Sequence, residues 1–171
     1  MHFRLRPSYI IEHVRDINVD ELKDEGIKAL IFDLDNTLMT PKACEFCEEI
    51  SEWINLIQND FKIAILSNNS DSKYIDKVQK IANFPVYGSA KKPFRKVALK
   101  VIKELDVLPS QCAMIGDRPL TDILVGIRLG MMTILVDPLL KNEENKLFQV
   151  LRKIERIITI KKPEKKFSKR K

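Results

Sequence analysis

The sequence predicts an α/β fold: a three-layer sandwich on a mainly parallel central sheet of five strands. Two observations lead there. Short apolar runs alternate with segments of helical spacing from residue 27 to residue 158, as in strands joined by crossover helices. Three of these runs give way at once to polar residues, at Asp33, at Ser67 and at Gly116-Asp117. No internal repeat is apparent, and only the Lys-rich end is low-complexity.

The first strand is expected over 27–32, an apolar and β-rich run. A helix over 45–57 follows, with Phe46, Ile50, Trp53, Ile54 and Ile57 at helical spacing. Residues 62–66 read as the second strand, ended by the loop and cap cluster Ser67-Asn68-Asn69-Ser70. Tyr74, Ile75, Val78, Ile81 and Ala82 mark the next helix, and Pro85-Val86-Tyr87 a short third strand. Val97 to Leu105 is helical by the same spacing. The fourth strand falls at 112–115, a helix at 120–129, the fifth strand at 131–136 and a last helix at 145–158. Residues 1–26 are expected to pack on the core as an N-terminal segment, 27–158 to form the domain, and 159–171 to be a basic, unstructured tail.

Composition narrows the class. Hydrophobic residues make up 44% and charged residues 32% of the 171, ordinary values for a soluble globular protein large enough to bury a core. No apolar run approaches the roughly 20 residues that span a bilayer. The basic N-terminus leads into no signal-like stretch, and three cysteines give no disulfide framework. A cytoplasmic protein is expected. The net charge of +6 is local: residues 152–171 hold ten Lys or Arg against two Glu, so the body is close to neutral.

The segment Ile31-Phe32-Asp33-Leu34-Asp35-Asn36-Thr37-Leu38 carries the chemistry. Asp33 and Asp35 lie two apart on an extended run and project to the same side. Carboxylates that close both stay ionised only with a cation or strong donors between them. A hard ion such as Mg2+ suits them, and Mn2+ would satisfy the same oxygens. Ligands of an open parallel sheet collect beyond the carboxyl ends of its strands, so three strand ends offer polar groups to one crevice. Phosphoryl transfer needs a nucleophile, a proton shuttle, a metal and positive charge around the equatorial oxygens. Asp33 is the candidate nucleophile. Asp35 would protonate the leaving oxygen and then activate water. Ser67 would hold a phosphoryl oxygen, with Asn68 and Thr37 beside it, Thr37 more as a backbone-positioning residue than a catalyst. Lys92 would supply fixed positive charge, and Asp117 would join Asp33 and Asp35 around the metal.

These residues resemble, in order, the four motifs of the haloacid dehalogenase (HAD) superfamily. The motifs are Asp33-Leu34-Asp35-Asn36-Thr37, the Ser67 turn, the Lys of Lys92-Pro93, and Gly116-Asp117 running on to Thr121-Asp122. The resemblance implies a HAD-like sandwich without a cap and an aspartate-nucleophile phosphatase that uses Mg2+. It favours Lys92 over its neighbour Lys91, because the family's lysine usually precedes the proline. Asp122 is expected behind the metal ligands or as a helix cap, and Ser67 has helix capping as its plainer role. Cys44 and Cys47 have zinc-like spacing, but four ligands are wanted and too few are at hand; a helix start is the expected reading there.

Over about residues 7–158 the chain is more closely similar to YqeG-type HAD phosphatases and to the mitochondrial phosphatidylglycerophosphate phosphatase. The shared features include Pro7-Ser8-Tyr9-Ile10, Ala90-Lys91-Lys92-Pro93 and Arg128-Leu129-Gly130. That likeness implies removal of the terminal phosphate of phosphatidylglycerophosphate at a membrane surface. The basic C-terminus could hold the protein to the inner face of an anionic bilayer, while the apolar stripe Leu147, Val150, Leu151, Ile154, Ile157 and Ile158 is expected to pack on the sheet. The alternatives are an uncapped phosphatase of nucleic acid ends, since a basic tail also binds nucleic acid, or of a small soluble ester. A binding protein that kept the fold without the activity is disfavoured by the complete set of site residues.

Overall fold

The computed structural model describes residues 5–140, 150, 154–155, 157–159 and 162–168. Six parallel strands form one sheet: β1 (Tyr9–Ile11), β2 (Ala29–Phe32), β3 (Lys62–Leu66), β4 (Val86–Tyr87), β5 (Cys112–Gly116) and β6 (Met132–Val136), in the order β1-β6-β5-β2-β3-β4. The helices are α1 (Val19–Asp24), α2 (Glu48–Ile57), α3 (Ser72–Ile81), α4 (Lys96–Glu104) and α5 (Leu124–Leu129).

The alternation inside β2 explains the layering. Leu30 and Phe32 face the cluster that holds Trp53 of α2 and Tyr74 and Val78 of α3. Ala29 and Ile31 face Ala98, Val101 and Ile102 of α4 and Val125 of α5. Successive strand residues point to opposite faces, so one four-residue apolar run supplies both cores. The Phe32 and Trp53 rings meet edge to face, 5.9 Å between centroids.

The sheet has six strands where the sequence predicts five. The extra one, β1, comes from the N-terminal segment and pairs in register with β6, Tyr9 opposite Ile134. Its three residues are too few to display a period of two, so only the pairing reveals it. The helix expected over 120–129 is split into a π-helical turn, Pro119–Ile123, followed by α5. Most of the helix expected at 145–158 lies outside the described residues. Of its stripe, Val150, Ile154 and Ile157 are 53%, 49% and 80% exposed. The buried side at this end of the chain belongs instead to Glu155, ion-paired with Arg118 at 3.1 Å, and to Thr159.

Residues 162–168, assigned from sequence to the basic tail, run beside the N-terminal strand. Glu164 and Lys165 donate backbone N–H groups to Pro7 and Ser8 carbonyls at 3.1 and 2.9 Å. Phe167 stacks on Tyr9 at 3.9 Å, and Lys165 pairs with Glu25.

Cys112 is wholly buried in β5, whereas Cys44 and Cys47 are exposed. Burial pushes the Cys112 thiol up to about 11. An aromatic disulfide at pH 8 is therefore expected to titrate two thiols quickly and the third only on unfolding. The sign of the linkage follows: stability contributed by the protonated Cys112 is whole below pH 9, the ordinary thiol value, and is lost as pH rises through the shifted one.

Candidate active site

The ends of β2, β3 and β5 bring the polar residues together. Phe32 stands opposite Ile65 on one side and Ile115 on the other, so Asp33, Ser67 and Asp117 leave neighbouring strands side by side. Asp33 stays tied to the sheet, its N–H donating to the Ile115 carbonyl at 2.8 Å. The chain then turns sharply. Asn36 adopts φ 66°, a conformation that Asn tolerates better than most side chains. Leu38 and Met39 donate back to the Leu34 carbonyl. Thr37 Oγ1 lies 3.4 Å from Asp33 Oδ2.

Lys92 is the hub. Its side chain is 1% exposed, and Nζ sits 2.6 Å from Asp33 Oδ1 and 2.7 Å from Asp122 Oδ1. Asn68 fixes the lysine's backbone from both sides: Lys92 N donates to Asn68 Oδ1 at 2.6 Å, and Asn68 Nδ2 donates to the Lys92 carbonyl at 3.0 Å. Lys91, by contrast, is exposed. Ser67 is buried and accepts from Asn69 N at 3.0 Å. The cap of α3 is Asp71, which accepts from Lys73 N and Tyr74 N, so Ser67 is not the helix cap.

Asp33, Asp117 and Asp122 each offer a carboxylate oxygen, all within 4.8 Å of one another. Asp122 is 1% exposed and accepts from Arg118 N at 3.0 Å. It can come so close only because residue 116 is glycine: a Cβ there would lie 2.3 Å from Asp122 Oδ2. The Asp35 side chain is not in that group of three carboxylates; it accepts from Tyr74 Oη at 2.9 Å and from Asn69 Nδ2 at 3.4 Å. Sequence reasoning assigned Tyr74 to an apolar stripe. The available signal was a phenol in the first turn of the helix that follows a strand end, where a buried hydroxyl needs a partner.

Electrostatics follow from this packing. Three carboxylates face one ammonium in a buried crevice. Burial pushes the Asp33 carboxyl up, the Lys92 ammonium pulls it back, and Asp122 and Asp117 push it up again, to about 8. Burial alone would lower Lys92, but Asp122 and Asp33 outweigh it and hold the lysine charged. An all-oxygen donor set with excess negative charge fits a divalent cation, which would reverse the shift on Asp33. Cys44 and Cys47 join no group of three or more metal-ligating side chains among the described residues. Burial, then the charge of Asp35, raise the Tyr74 phenol, so it remains a hydrogen-bond donor. Among the described residues no helix is long and apolar enough to cross a membrane.

Comparison with known proteins agrees with this geometry. The family model described as mitochondrial PGP phosphatase matches residues 2–140. The "Probable phosphatase YqeG" of Bacillus subtilis (strain 168) is 31% identical over 144 residues, 80% of each chain. "Phosphatidylglycerophosphate phosphatase 1, chloroplastic/mitochondrial" of Arabidopsis thaliana is also 31% identical, over 87% of this chain and 45% of its own length. This chain thus spans just under half of the plant protein. A predicted HAD-like family hydrolase from Porphyromonas gingivalis shares the fold, with a TM-score of 0.53 at 18% identity over 75% of this chain and 98% of the other.

Proposed function

Because the chain belongs to the family of the mitochondrial PGP phosphatases, we propose that it hydrolyses the terminal phosphomonoester of phosphatidylglycerophosphate through an aspartyl-phosphate on Asp33, with Mg2+ as its divalent cation. The observation that supports this most is the buried Asp33–Lys92–Asp122 array beside Asp117 at the strand ends.

An Asp33 oxygen attacks phosphorus as the bond to the glycerol oxygen breaks, and Asp35 gives that oxygen a proton. Asp35 then takes a proton from water, which attacks the phosphoryl group, releasing inorganic phosphate and restoring Asp33. Lys92 orients Asp33 and offsets charge on the transferring group. Ser67 presents its hydroxyl to a phosphoryl oxygen, and Asn68 serves through Lys92, which it holds in place. Asp33 and Asp117 would hold the cation, with Asp122 beside them; the bound ion would neutralise charge developing on the phosphoryl oxygens. Only α2 and β3 lie between Asp33 and Ser67, and only α3 and β4 between Ser67 and Lys92. Among the described residues no cap covers the crevice, which suits a head group presented at a surface.

The deciding assay is phosphate release, with and without Mg2+, from phosphatidylglycerophosphate in mixed micelles, from a 5′-phosphorylated oligonucleotide and from glycerol 3-phosphate. Strong preference for the lipid supports the proposal. Equal or faster turnover of either soluble ester keeps the mechanism and removes the lipid.

Tyr74 is a positioning residue that acts through Asp35. Tyr74→Phe is expected to lower kcat about tenfold, the worth of one hydrogen bond to a charged group, with KM little changed. Steady-state kinetics across pH check this, because a shifted profile separates control of Asp35 from simple loss of packing.

A further inference from the structure

The loop that carries Lys92 also carries an uncovered aromatic ring. Phe94 is 66% exposed, yet the backbone beneath it is held at several points. Phe94 N donates to the Lys91 carbonyl and Ala90 N to the Ser67 carbonyl, both at 2.9 Å. Arg128 Nη1 donates to the Pro93 carbonyl at 2.9 Å, and Asn68 grips Lys92. The ring is thus a fixed knob beside the catalytic crevice. Lys91, Arg95 and Lys96 are exposed around it, and no carboxylate occurs in the chain between Asp76 and Glu104. Further along α4, Leu99 is 45% exposed.

We propose that this loop is an interfacial anchor: Phe94 enters the head-group region of an anionic lipid bilayer while Lys91, Arg95 and Lys96 meet lipid phosphates, so that the mouth of the crevice lies on the membrane. This rests on the reading that the substrate is a phospholipid phosphomonoester. An apolar aromatic ring buries favourably at the boundary of head groups and acyl chains, and neighbouring cations add attraction to an anionic leaflet. A projecting ring flanked along the chain by exposed Lys91, Arg95 and Lys96 matches a lipid surface better than a protein partner, which would need a groove to receive it. Of the C-terminal cations, Lys165 is engaged by Glu25.

Sedimentation of the full chain with phosphatidylglycerol vesicles and with neutral phosphatidylcholine vesicles tests the anchor. Phe94→Ser and the double variant Arg95→Glu/Lys96→Glu are each expected to bind anionic vesicles about tenfold more weakly, with p-nitrophenyl phosphate turnover unchanged. Trp53 is the only tryptophan, so Phe94→Trp combined with Trp53→Phe places a single indole on the loop. Quenching of that indole by lipids brominated along the acyl chain is expected. Variant binding equal to the wild type, absence of quenching, or no wild-type preference for anionic over neutral vesicles overturns the anchor. A wild type that sediments with no vesicle also overturns it and points to an acidic protein partner. The two readings fail separately. Variants that lose vesicle binding in a protein that cleaves no phospholipid phosphomonoester leave the anchor and remove the substrate. Variants that bind and cleave lipid like the wild type leave the substrate and remove the anchor.

Discussion

Asp33→Asn is expected to abolish phosphate release, lowering kcat on the order of 10⁴-fold or more, as loss of a nucleophile does. Its effect on stability should run the other way. Asn keeps the shape of the side chain and removes one of three carboxylates that face a single Lys92. The raised Asp33 carboxyl means that the folded site favours its protonated form. For such a group the stabilising contribution is whole below the ordinary value of 3.8 and is lost as pH rises through the shifted range. In EDTA the variant should therefore melt no lower than the wild type at pH 5 and clearly higher at pH 8. Phosphate release and thermal melting at the two pH values check both halves. A variant that retains turnover would remove Asp33 as nucleophile.

Lys92→Met is expected to cost both function and fold. Methionine fills much of the lysine's volume but leaves Asp33 and Asp122 without their buried cation. Breaking a buried ion pair from one side costs about 3–5 kcal/mol. The carboxylates can recover part of that by taking up protons, so the loss in urea denaturation should be smaller at pH 5 than at pH 8. Lys92→Met/Asp122→Asn should regain stability relative to the single variant and stay inactive. That pattern separates charge compensation from catalysis: a pair of additive effects would mean that Lys92 and Asp122 do not interact in solution.

The sequence made the architecture legible where a signal was local. The apolar runs that became β2, β3 and β5 each gave way to a polar residue, and Asp33, Ser67 and Asp117 leave those neighbouring strands side by side. What stayed hidden was non-local. β1 exists because Tyr9–Ile11 finds the edge of β6, a pairing that no three residues announce. The contact of Lys92 with Asp122 depends on the missing side chain of Gly116. The bond from Tyr74 to Asp35 joins residues on separate elements, within a stripe whose periodicity spoke only of burial. The stacking of Phe167 on Tyr9 likewise joins opposite ends of the chain, one of which its composition marked as solvated.

That stacking has a bearing on solubility. β1 is the outermost strand on its side of the sheet, and an uncovered strand edge is a template for pairing between molecules. The backbone bonds from Glu164 and Lys165 to Pro7 and Ser8, with the Leu5–Thr159 bridge, occupy part of that edge. A chain shortened at residue 158, the obvious cut for a charged tail, would bare it together with the Tyr9 ring. The shortened protein should self-associate through edge-to-edge pairing, although the residues removed are among its most charged.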